Sequence, residues 1–188
     1  TRVFEIVLQA QGWEAGWRTL TLMTANAKIF DSSDAVREAV ITGDTAVGVT
    51  IDFYGYTAMQ RNPATEYVVP TGESIINGDP IALTRNSKNP EAAQAFIAWV
   101  LSPDGQKLWL DPDINRMPVN SKVFDTAEGQ KRADLKNLYA ITVKNKGIDF
   151  SDELALATEA PMQYYFKAVL IDANPELKKA WTAIAALK

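Results

Sequence analysis

Asp52, Tyr54 and Tyr56 place one carboxylate and two phenols within five residues. A neutral phenol donates a hydrogen bond and offers a flat stacking face. A phenolate is a hard oxygen ligand for a ferric ion. A carboxylate accepts hydrogen bonds and can share a cation. This trio can therefore hold a polar solute, and Tyr54 can contribute to an iron site. A competing reading makes the segment a strand end with one aromatic ring buried and the other exposed.

The elements around the trio decide where it sits. Residues 45–51 are β-branched and apolar and predict a buried strand, with residues 53–60 predicted helical beyond it. Layered α/β proteins place ligand groups at such strand ends. Two more short strands are expected at 66–70 and 81–84. Residues 3–27 read as one long helix with a kink near Gly12. Asn89-Pro90, Ser102-Pro103 and Asn174-Pro175 are helix starts, and Ser151 caps another helix that Pro161 interrupts. Residues 127–143 read as a single helix, and 111–120 as a loop rich in Pro and Asn. Trp13 and Trp17, one helical turn apart, read as core packing, with a ligand-stacking platform as the alternative. Helices alternating with short strands indicate α/β layers around a sheet. So few strands for so many helices lead us to expect further strands upstream of Thr1.

Composition excludes several classes. The 188 residues carry a net charge of -4 and no Lys/Arg cluster, which argues against a nucleic-acid partner. The chain has no Cys and no His. That removes thiolate nucleophiles, zinc-thiolate sites and the commonest general base. Neither a glycine-rich phosphate loop nor a G-x-S-x-G elbow occurs. No apolar run is long enough to span a bilayer.

Several segments, in order, resemble one family. They are Trp13 with Trp17, then Asn26, then Val36-Arg37-Glu38-Ala39-Val40-Ile41-Thr42-Gly43-Asp44 and Ala46-Val47-Gly48-Val49. The Tyr54 segment and Gly78-Asp79-Pro80-Ile81-Ala82-Leu83 follow. Next come Asn89-Pro90-Glu91-Ala92-Ala93-Gln94-Ala95-Phe96-Ile97, Leu101-Ser102-Pro103-Asp104-Gly105-Gln106 and Met117-Pro118-Val119-Asn120. Together they resemble the iron-type (type II periplasmic) solute-binding proteins of ABC importers, in their C-terminal portion.

The resemblance implies an α/β fold of periplasmic-binding-protein type, with helices packed around a mixed sheet in an incomplete two-lobe architecture. Residues 1–71 would belong to the second lobe, 72–122 would return to the first, and 123–188 would pack mostly on the second. It implies a non-enzymatic capture protein that binds ferric iron, an oxyanion or a small organic molecule between lobes. It has no resident cofactor beyond such a bound ion. Its partners would be the ABC permease subunits and the N-terminal half of the same protein. It would be periplasmic or extracellular, with or without a lipid anchor at the cell surface.

By the same resemblance, Thr1 and Arg2 are the remnant of an anion-binding turn at a helix start. Asp52, Tyr54 and Tyr56 complete the expected solute contacts. Iron-binding members carry two adjacent tyrosines. Here Tyr54 matches the first, Gly55 stands at the second and Tyr56 follows one residue later. Two other classes stay open: a carboxylate-based enzyme on a similar two-lobe fold, and a helical protein-interaction module formed by residues 151–188.

Overall fold

The computed structural model describes residues 2–187. Ten α-helices occur among them: α1 (Arg2–Gln11), α2 (Trp13–Ala25), α3 (Ser33–Ile41), α4 (Asp52–Arg61), α5 (Pro90–Val100), α6 (Pro103–Gln106), α7 (Ala127–Gln130), α8 (Ala133–Lys144), α9 (Asp152–Tyr165) and α10 (Asn174–Ala185). Short 3₁₀ turns fill Lys107–Leu110 and Ser121–Asp125, and a π-helical stretch, Phe166–Asp172, prolongs α9. No helix among the described residues is long and apolar enough to cross a membrane.

The expected mixed sheet is absent. Residues 45–51, 66–70 and 81–84 are irregular or extended, and no strand occurs among the described residues. The fold is helical and not α/β-layered. β-branched residues favour extended backbone, but a strand also needs a neighbouring edge to take its N–H and C=O groups. These segments meet no such edge. Side chains expected to be buried stay in water: Val47 is 80% exposed and Val68 67%.

Local signals fared better. The long N-terminal pattern breaks at Gly12, whose φ of 83° lies in the left-handed region that glycine tolerates. Asn89 Oδ1 accepts from the Ala92 N–H at 3.2 Å, and Ser151 Oγ accepts from the Leu154 N–H at 3.1 Å, so both cap as expected. Pro161, expected to interrupt its helix, lies inside α9. The residue whose carbonyl it leaves unpaired, Ala157, is exposed. Residues 127–143 form two helices and not one, separated at Lys131 and Arg132. Asn174 does not cap α10; its side-chain amide donates to the Thr24 carbonyl at 3.0 Å and pins α10 to the end of α2.

The chain forms two compact units. One comprises Thr1–Asp31, Pro70–Ile75 and Lys146–Lys188. Its core is Leu8, Trp17, Leu20, Met162 and Leu170. Trp17 is thus a packing residue, wedged between Trp13 and Tyr165 at centroid separations of 5.6 and 4.4 Å.

The other unit comprises Ser32–Val69 and Ile76–Asn145. Its core is Tyr56, Leu110, Val123, Phe124 and Leu135. In that unit the extended residues after α3 run back along it. Thr50 Oγ1 donates to the Ser33 carbonyl at 3.1 Å, and this return brings Asp52 to the start of α4.

Candidate functional site

The first turn of α4 collects most of the chemistry in the second unit. Asp52 opens the helix, where a negative charge suits the macrodipole. Its carboxylate accepts from the Phe53 N–H at 2.8 Å. Phe53 and Tyr54 follow with their rings 4.4 Å apart. Each ring carries a guanidinium. Arg116 lies over Phe53 at 4.0 Å from the centroid, and Arg37 over Tyr54 at 5.0 Å. Both are cation–π distances.

Each arginine is steered by a carboxylate. Arg116 Nη1 donates to Asp79 Oδ2. Arg37 Nε donates to Glu38 Oε1 at 2.9 Å, and Arg61 donates to the same oxygen at 2.6 Å. Glu38 is held below the usual carboxylate range, first by its hydrogen bond from Arg37. Asp52 is pushed up, chiefly by burial, with Asp79 adding to the rise and Arg116 opposing it. The site thus joins guanidiniums, two aromatic faces and a carboxyl group that ionises reluctantly.

Arg116 is presented by the loop after the turn at Lys107–Leu110. That loop is anchored by Asn115, fully buried and in a left-handed conformation with φ 53°. Asn115 Oδ1 accepts from Arg132 Nη2 at 2.6 Å. Arg132 also donates to the Leu110 carbonyl and forks onto Asp134 at 3.0 and 2.9 Å. One arginine therefore ties the start of the loop and its buried Asn115 to the start of α8.

The five expected contact residues have different placements. Asp52 and Tyr54 share the first turn of α4. Tyr56 is two residues further on, about 200° around the helix from Tyr54. It is buried, packs edge-to-face on Tyr67 at 5.3 Å, and takes a hydrogen bond with Thr142. Burial pushes its phenol up to about 12. Arg2 belongs to the other unit, where it pairs with Glu5 at 3.1 Å and Asp152 at 3.3 Å and covers the Phe150 ring. Thr1 lies outside the described residues. No group of three or more His, Cys, Asp or Glu residues able to hold a metal occurs among the described residues.

Sequence reading missed Arg37, Arg116, Asp79 and Tyr67. Asp79 reads as a turn residue and Arg116 as part of a polar loop. Nothing in their spacing points to α4. An open groove of about 390 Å³, lined by Asn26, Lys28, Lys178 and Trp181 among others, is built by the first unit alone. It contains none of the expected contact residues.

Comparison with known proteins agrees with the resemblance at the level of the broad family. Two relatives are each 28% identical over 181 residues. They are the proteins named phosphoglycerate transport regulatory protein PgtC from Salmonella typhimurium and Salmonella typhi. The match covers 96% of this chain and 43% of each relative, so the chain spans less than half their length. No solved structure matches the chain significantly. The family model described as bacterial extracellular solute-binding protein matches residues 3–137, well over half of the chain. The chain belongs to the bacterial extracellular solute-binding protein family.

Proposed function

We propose that this chain is part of the solute-capture component of an ABC importer, and that the first turn of α4 carries a portion of its solute site. The solute is a small organic acid or phosphate ester. One observation carries this reading: Arg37 and Arg116 lie on the adjacent rings of Tyr54 and Phe53 at a helix N-terminus. A guanidinium packed on a ring can grip a carboxylate or phosphate with the N–H groups that Glu38 and Asp79 leave to it. The name of the PgtC relatives, which refers to phosphoglycerate, supports an acidic solute. For Arg2 and Thr1, in the other unit, an anion contact is a separate proposal, on the helix-dipole argument.

Retention without turnover is the expected behaviour. The protein would be periplasmic or cell-surface and would deliver solute to permease subunits. Exposed apolar side chains favour a further partner. Val47, Val49 and Ile81 all face water in this chain.

Calorimetric titration of the full-length protein tests the solute class. The ligands are phosphoglycerate, a neutral disaccharide and ferric citrate. Stoichiometric binding of phosphoglycerate without chemical change supports the reading. Binding of the sugar or of ferric ion alone, or conversion of the acid, would overturn it.

A further inference from the structure

The Tyr67 ring lies directly on the backbone of Gly55. A Cβ built at Gly55 would stand 2.0 Å from Tyr67 Cδ2 and 2.5 Å from Cγ. Only glycine lets the ring reach this position. Tyr67 also meets Tyr56 edge-to-face. The Tyr67 N–H donates to the Met59 sulfur at 3.2 Å, which fixes the backbone that carries the ring. Tyr67 is therefore held against α4 by its ring contacts with Gly55 and Tyr56 and through its own backbone.

Its hydroxyl group is not used by this packing. Among the described residues no hydrogen bond to the Tyr67 hydroxyl occurs, although Tyr67 is partly buried. Its neighbour Tyr56, by contrast, has Thr142. The hydroxyl is not a fully buried unpaired atom; it is open to solvent and can donate to a bound molecule. Asp52 stands one helical turn before Gly55, on which the Tyr67 ring lies, and its charge adds to the rise that burial gives the Tyr67 phenol. A carboxylate acceptor and an unused phenol donor thus address one end of α4, the end where Arg37 and Arg116 stack.

We propose that Tyr67 is a solute-contacting, specificity-determining residue, and that with Asp52 it recognises a hydroxyl group on the bound acid. The solute hydroxyl donates to Asp52, and its oxygen accepts from Tyr67. The arginines hold the acidic group. The preferred solute is therefore a hydroxy acid or its phosphate ester, not a plain acid. This inference rests on the acid-binding reading of α4 given above.

The test compares two probes on the full-length protein: phosphoglycerate and its counterpart lacking the carbon-bound hydroxyl, 3-phosphooxypropionate. Wild type should prefer the hydroxylated probe by about ten-fold, the size of one partly buried hydrogen bond. Tyr67→Phe keeps the ring on Gly55 and removes only the hydroxyl. It should abolish most of that preference by weakening the hydroxylated probe, leaving the other unchanged. Gly55→Ala, which displaces the ring, should lower the same ratio. Equal affinity of wild type for both probes, or a preference that survives in Tyr67→Phe, overturns the inference while leaving acid binding intact. Failure of both probes to bind wild type overturns the acid-binding reading, and this inference with it.

Discussion

The Arg116 guanidinium covers the Phe53 ring at 4.0 Å while one of its nitrogens is held by Asp79. The stack sets the plane of the fork and the carboxylate sets its direction. Arg116→Ala should weaken binding of an acidic solute about ten-fold or more, since a charge-assisted pair would be lost. Arg116→Lys should recover only part of this, because an ammonium keeps the charge but not the planar fork. Calorimetry with phosphoglycerate reads both variants. Wild-type affinity in Arg116→Ala would remove this residue from the site.

Arg132 stands behind Arg116 without touching solute. Its removal leaves the Leu110 carbonyl without its side-chain donor and the buried Asn115 Oδ1 with only the longer bond from Gln60 Nε2 at 3.4 Å. Arg132→Ala should destabilise the protein by about 1–3 kcal/mol, the cost of one orphaned buried group. Urea unfolding gives the number. The loop carrying Arg116 should loosen at the same time, seen as faster amide exchange at residues 111–118.

Gly55→Ala sets two effects of opposite sign against each other. Alanine in a helix interior gains about 0.5–1 kcal/mol over glycine. Against that, the new methyl group would sit 2.0 Å from the Tyr67 ring. Overpacking of this kind costs about 1–3 kcal/mol, so net destabilisation is expected. The double variant with Tyr67→Ala should lose the clash and show clear non-additivity in a mutant cycle.

Asp52 predicts a pH dependence. Its folded-state value lies above the ordinary 3.8, chiefly through burial. The folded state therefore binds the proton more tightly than the unfolded chain. Its contribution favours folding below about pH 4 and is lost as pH rises through the raised value. Asp52→Asn should remove that slope and leave the variant relatively more stable at neutral pH. Denaturation midpoints measured across pH 4–8 test this. An unchanged slope would mean that another group titrates.

Sequence alone determined the features whose causes lie within a few residues. Asn89 and Ser151 cap because their side chains reach an N–H three residues on. Gly12 breaks the first helix through its own φ. The order of motifs also sufficed for the broad family, and the structure places the expected Asp52 and Tyr54 in one helical turn. Tertiary structure decided the rest. The segments 45–51, 66–70 and 81–84 have strand composition, yet composition cannot supply the partner edge that makes a strand. Tyr56 turned inward because two helical steps carry it to the face that packs on Tyr67. Arg116, Asp79 and Phe53 lie far apart along the chain, and no local propensity encodes their meeting. Only folding brings a loop, a turn and a helix start together, because cation–π and ion-pair contacts form between whichever surfaces the cores bring near.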